Sequence, residues 1–232
     1  MRKTLSCSII GHGHIVNNLP NQDYFRVIST KDLSCIVVSD GLGSKKHSDL
    51  GARLVCHSTI QALRFYSKKK EEFSGKNVVE MIKARFFELL KNCNSKDFEA
   101  TCLFAFSFND DTLYTGMLGD GMIAAVKKDG SISIQSDNKD DSFANNVLPL
   151  HKMTQATQWS LKKFNIKDLN ALILSTDGVS DTWENLEGYV QGFYDYYKDF
   201  PTSRATADIR QSLISSRPKG HTDDQTIVMA LF

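Results

Sequence analysis

The chain lacks an excess of charge of either sign: 28 lysines and arginines stand against 27 aspartates and glutamates, for a net charge of +1. Such a balance leaves no electrostatic footprint for a nucleic acid or a membrane surface, so a substrate must be recognised by a local site. Long apolar runs are missing as well. Nothing approaches the ~18 apolar residues needed to span a bilayer. The opening Met1-Arg-Lys-Thr-Leu-Ser-Cys-Ser-Ile-Ile breaks at Gly11-His-Gly-His14, too soon for a signal peptide, and reads as an N-terminal core strand. The five cysteines (Cys7, Cys35, Cys56, Cys93 and Cys102) are odd in number, scattered, and mostly set in apolar runs. That is neither a disulfide framework nor a C-x-x-C metal clip, and they read as reduced core thiols of a cytoplasmic protein.

Several catalytic signatures are also absent. Gly75-Lys76 is followed by Asn77 and preceded at the required spacing by Lys70, so no phosphate-binding P-loop exists. No cysteine stands before an arginine at the spacing of a cysteine-nucleophile phosphatase loop. H-E-x-x-H and G-x-S-x-G are missing too. Covalent catalysis therefore loses its usual signatures.

What is present is Asp-Gly at the end of apolar β-like runs. It occurs in Cys35-Ile-Val-Val-Ser-Asp40-Gly41, in Tyr114-Thr-Gly-Met-Leu-Gly-Asp120-Gly121 and in Leu172-Ile-Leu-Ser-Thr-Asp177-Gly178. Two further acidic sites, Asn21-Gln22-Asp23 and Asp223-Asp224-Gln225-Thr226, each stand just before a strand. Carboxylates gathered at sheet edges repel one another unless a cation neutralises them, and their oxygens are the hard ligands that Mg²⁺ and Mn²⁺ select. Two bound divalent ions can activate water for in-line attack on phosphorus. By contrast, Asp129-Gly130 lies between two β runs and reads as a plain hairpin turn. The acidic run Asp137–Asp141 lacks the glycine and terminal glutamate of an EF-hand loop, and reads as solvated acid.

The 232 residues, 41% hydrophobic and 24% charged, fit one α+β domain over residues 1–232. Strands are expected near 4–10, 23–29, 33–39, 100–108, 112–118, 122–127, 172–175 and 227–232, with 100–127 forming an antiparallel meander. Helices are expected near 48–67, 78–90, 186–198 and 203–215. Residues 137–158 read as a surface loop or flap.

The motifs Asn21-Gln-Asp23, Val38-Ser-Asp-Gly-Leu-Gly-Ser44, Leu118-Gly-Asp120, Ser175-Thr-Asp-Gly-Val-Ser-Asp181 and Asp223-Asp-Gln-Thr226 resemble, in order and spacing, the metal-dependent protein phosphatases of type 2C. Each motif is weak alone, and the five together span almost the whole chain. Gly11-His-Gly-His14-Ile with Pro20-Asn-Gln-Asp23, and Gly41-Leu-Gly-Ser44 with Ser48-Asp-Leu-Gly-Ala52, resemble a bacterial branch of that family.

The resemblance implies a four-layer α-β-β-α sandwich with two antiparallel sheets. It implies hydrolysis of phosphoserine and phosphothreonine by water activated on two Mn²⁺ or Mg²⁺ ions. Carried onto this sequence, Asp40 bridges the two metals, the Gly41 carbonyl completes one, Asp177 and Asp223 hold the other, and Asp23 acts through water. Asp120 helps hold a third, weaker metal. Asp181 either supports the site from behind or caps a helix N-terminus.

The chain departs from the pattern at three places. Gln22 replaces a common glutamate, which removes one negative charge near the metals. Asn18 occupies the position of the phosphate-gripping arginine, and Leu42 that of a histidine proposed to protonate the leaving group. His14 is the candidate to cover either task, with capping of the turn after the first strand as its alternative. His47 is a weaker candidate, and His12, His57, His151 and His221 read as surface or structural. The expected partner is a phosphoprotein, a serine/threonine kinase or one of its targets in bacterial signalling. A weakly catalytic module that binds a phosphoprotein or regulator is the alternative.

Overall fold

The computed structural model describes residues 1, 3–69, 74–109, 111–136 and 147–232. Among these residues, ten strands form two antiparallel five-stranded sheets. In one, β1 (Lys3–Ile9), β10 (Gln225–Leu231), β9 (Leu169–Ser175), β6 (Met122–Lys127) and β7 (Ile132–Ser136) lie side by side in that order. In the other the order is β2 (Asp23–Ser29), β3 (Ser34–Asp40), β4 (Cys102–Ser107), β5 (Thr112–Leu118) and β8 (Ser160–Asn165).

The central strands are apolar on both faces because both faces are covered. On β3, Cys35 and Val37 pack under α2 (Ser48–Lys69) and α3 (Gly75–Leu90), while Ile36 and Val38 meet the opposite sheet. On β9, Leu172 and Leu174 fill the space between the sheets, and Ala171 and Ile173 face α5 (Leu186–Tyr197) and α6 (Thr202–Ser215). Period-2 alternation thus divides each strand between two cores, and the layers run α-β-β-α.

The expected meander breaks at Asp120-Gly121. β4 and β5 pair as anticipated, but β6 leaves for the other sheet, where it lies between β9 and β7. Gly119 (φ +93°) and Gly121 (φ +104°) make the crossing, in a backbone region that side chains disfavour. The hairpin at Gly130 joins β6 to β7 as read from the sequence.

Three elements were not anticipated. These are the exposed edge strand β8 and two short helices, α1 (His12–Val16) and α4 (Asp177–Ser180). Of the expected flap, residues 137–146, including Asp137–Asp141, lie outside the described residues, and a 3-10 turn closes it at Ala156–Gln158. Cys7, Cys35, Cys56 and Cys102 are buried and Cys93 is exposed, all as free thiols. No helix among the described residues is long and apolar enough to cross a membrane.

Candidate metal centre and active site

Strand register brings the acids to one edge of the sandwich. Asp23, at the start of β2, pairs directly with Asp40, at the end of β3. Two like charges facing each other across a ladder destabilise it unless something neutralises them. Thr101, just before β4, fixes the end of β3: its hydroxyl accepts the Asp40 amide at 2.9 Å and its own amide donates to the Asp40 carbonyl at 2.7 Å. β5 ends beside this point, since Leu118 pairs with Cys102, and the turn after it carries Asp120. From the other sheet, Ser175 pairs with both Met122 and Ile227, so the residues after β9 meet those after β5 and those before β10. Carboxylate oxygens of Asp40, Asp120 and Asp177 consequently lie within 4.8 Å of one another.

The electrostatics follow from this crowding. Burial first, then the charges of Asp23, Asp177, Asp223 and Asp120, push Asp40 well above the ordinary carboxylate range. Burial raises Asp23 to about 8, with hydrogen bonds from Thr226 and Thr176 opposing and the charges of Asp224 and Asp177 adding to the rise. The Thr176 hydroxyl donates to Asp23 Oδ2 at 2.8 Å and accepts the Thr226 amide at 3.1 Å, which ties β2, β9 and β10 together. Asp177 rises to about 7, through burial and then the charges of Asp120, Asp223 and Asp181, against the Gly178 amide that donates to it at 2.7 Å. An all-oxygen donor set whose charged form is disfavoured on its own fits a hard divalent cation.

Asp223 and Asp224 take different places. Asp223 accepts the Asp224 amide at 2.8 Å and acts on Asp40 and Asp177 through its charge. Asp224 is buried and turns toward the N-terminal loop. The Gly11 amide donates to its Oδ1 at 2.6 Å, and the Gln22 amide and the His14 ring meet its Oδ2 at 2.6 and 2.9 Å. Gln22 in turn accepts the Gly41 amide through its carbonyl at 3.1 Å. His14 therefore does not cap its own turn. It sits in α1, tied across the chain to the residue beside Asp223.

Asp181 is the residue that ends α4, and the N-cap of α5 is Asn185, which accepts the Gly188 amide at 2.9 Å. The helix-cap alternative for Asp181 is therefore corrected, while its charge does bear on Asp177. Asn18 is exposed, with φ +54°, just after α1, and Leu42 is half-buried, with its amide on the Glu99 carbonyl. His47 lies against the Phe98 ring, His57 beside Arg26, and the His151 ring accepts the Met153 amide. The supports that sequence reasoning passed over are Asp224, Thr101 and Thr176. Their only signal in the chain was a polar residue beside a predicted ligand or strand end.

The sequence profile of the family described as protein phosphatase 2C matches residues 10–214. The chain belongs to that family. This phosphatase is accordingly a metal-dependent serine/threonine protein phosphatase, a phosphoric monoester hydrolase. No curated protein matches it. Its fold is similar to that of the serine/threonine phosphatase Stp1 from Staphylococcus aureus (14% identity, TM-score 0.69, 100% of this chain and 95% of that one). It is also similar to the serine/threonine phosphatase of S. agalactiae (13%, 0.69, 98% of each chain). RsbX, solved in complex with magnesium, shares the fold as well (15%, 0.60, 97% and 92%). No observation favours a non-catalytic binding module, since the phosphatase keeps its converging acids.

Proposed function

We propose that the phosphatase works through the acids at this sandwich edge, with Asp40, Gly41, Asp177, Asp223, Asp23 and Asp120 holding two Mn²⁺ or Mg²⁺ ions and a third, weaker one. The observation that carries this reading is the convergence of the Asp40, Asp120 and Asp177 carboxylates within 4.8 Å from three separate chain segments. When bound, divalent ions supply an activated water nucleophile and neutralise the phosphoryl oxygens.

The protein's own residues supply position and proton control. Thr101 holds the Asp40 backbone and Thr176 the Asp23 carboxylate, so both residues are positioned before a cation arrives. His14 is the residue we assign to the task of the missing arginine and histidine, since it is tied to Asp224, next to Asp223. Its Nδ1 is engaged by the contact with Asp224 Oδ2 at 2.9 Å. Nε2 is then the ring atom left to grip the phosphate or hand a proton to the departing alkoxide.

The natural substrate we infer is a phosphoprotein, a serine/threonine kinase or its target in bacterial signalling, met in the cytoplasm by a single catalytic domain spanning residues 1–232. Five free thiols support a reducing compartment. The test is hydrolysis of a phosphothreonine peptide with Mn²⁺, with Mg²⁺ and with EDTA. Turnover that needs either metal is expected, and metal-independent turnover would sink the assignment.

A further inference from the structure

The groove between α5 and α6 is walled by aromatic rings and carries the carboxylate of Asp208. Trp183, just before α5, stacks on Tyr189 with ring centroids 4.6 Å apart and planes 16° from parallel. Tyr196 sets its ring edge-on to Tyr197 at 4.7 Å. The groove encloses about 410 Å³, and Trp183 and Tyr196 remain 36% and 59% exposed. Among the described residues, Asp208 is the one charged residue in its lining. Its Oδ2 accepts the Tyr197 hydroxyl at 2.8 Å, and among the described residues no lysine, arginine or histidine lines the groove.

Gly192 adds an independent observation. A glycine inside a helix weakens it, so it usually answers a packing need. Gly188 has such a need, because a Cβ there would stand 2.7 Å from the Asn185 side chain. A Cβ on Gly192 would meet nothing within 4 Å, yet Gly192 lines the groove. Among the described residues nothing explains the bare backbone, whereas a second chain approaching closely would.

A chain of hydrogen bonds links the end of the groove to the acid cluster. Ser215 and Ser216 line it at the end of α6. Arg217 follows and donates to Gln225 Oε1 at 3.0 Å, and Gln225 Nε2 donates to the Gly178 carbonyl at 3.0 Å, next to Asp177. We infer that this groove docks a basic segment of the phosphoprotein substrate, an arginine or lysine side chain lying over the rings and reaching Asp208. A cation is attracted to the faces of tryptophan and tyrosine and forms a charge-assisted hydrogen bond with a carboxylate. The inference rests on the phosphatase reading for what is held there, but the binding needs no catalysis.

Two readouts separate the inference from that reading. The first is anisotropy of a labelled, unphosphorylated peptide carrying one arginine among uncharged residues, against the same peptide with alanine. The second is kcat/KM on phosphothreonine versions of both peptides, at several spacings between the arginine and the phosphothreonine, beside turnover of p-nitrophenyl phosphate. The arginine peptide should bind about tenfold tighter and, at one or more spacings, be turned over with a kcat/KM about tenfold higher. Asp208→Asn and Gly192→Leu should each erase both differences while leaving p-nitrophenyl phosphate turnover unchanged. Trp183→Ala serves if Gly192→Leu does not fold, and Gly192→Ala should raise the melting temperature. Equal binding of the two peptides by the wild type, or a preference that survives Asp208→Asn, would overturn the docking groove. Loss of all metal-dependent turnover would overturn the phosphatase reading instead, and the anisotropy arm would still decide the groove.

Discussion

His14 Nδ1 lies 2.9 Å from Asp224 Oδ2, a carboxylate that also accepts the backbone amides of Gly11 and Gln22. One buried acid thus holds the turn after β1, the approach to Asp23 and an imidazole at once. The two residues are separable by experiment. Asp224→Ala leaves two buried amides without a partner and should cost about 3–5 kcal/mol in urea unfolding. His14→Ala should cost about 1 kcal/mol or less, yet lower kcat on a phosphothreonine peptide by about 10²-fold or more. A His14→Ala enzyme with unchanged kcat would return this histidine to a purely structural role.

Replacing Asp40 or Asp177 by asparagine should abolish turnover and weaken Mn²⁺ binding in calorimetry. It should also make the metal-free protein more stable, by about 1–3 kcal/mol near pH 8, because a buried repelling charge is gone. Loss of activity together with loss of stability would point to misfolding and away from a lost ligand.

The pH dependence of the metal-free protein follows from the same charges. Asp23 and Asp177 rise from 3.8 in the unfolded chain to about 8 and about 7 in the folded one. Between these limits the folded state binds more protons than the unfolded state, so the stability these groups contribute is complete below about pH 4. It is lost as pH rises through 7 and 8. In EDTA the melting temperature should therefore fall from pH 5 to pH 8. Added Mn²⁺ should reverse the trend above pH 7 and release protons, which calorimetry in buffers of different ionisation enthalpy will detect.

Gly178 lets α4 press against Asp223 and Asp224, just before β10. A Cβ there would stand 1.8 Å from the Asp224 carbonyl, so Gly178→Ala must push Asp177 and Asp223 apart. A loss of about 2–4 kcal/mol by urea unfolding, with weaker Mn²⁺ binding, is expected. Mn²⁺ affinity unchanged from wild type would show that the contact does not set the site.

Much of this phosphatase was legible in its sequence, because central strands and amphipathic helices declare themselves by the spacing of apolar residues. Cys35–Val38 and Leu172–Leu174 could only be buried, and the Asp-Gly pairs could only end strands. β8 stayed hidden for the same reason: Ser160–Asn165 is an exposed edge strand with no apolar alternation to read. α1 and α4, at five and four residues, are too short to show a helical period.

Only the tertiary structure decided which acids meet. Asp120-Gly121 reads locally as a hairpin turn, and the pairing of β6 with β9 makes it a crossing between sheets, which delivers Asp120 to Asp177. Likewise, two adjacent aspartates look alike in the chain. Asp224 became a strut because residues more than 200 positions away, Gly11, His14 and Gln22, offer it donors. The sequence by itself determined the parts and the chemistry they could support, since both depend on residue type and near-neighbour spacing. Their convergence depended on long-range strand pairing, which no local pattern encodes.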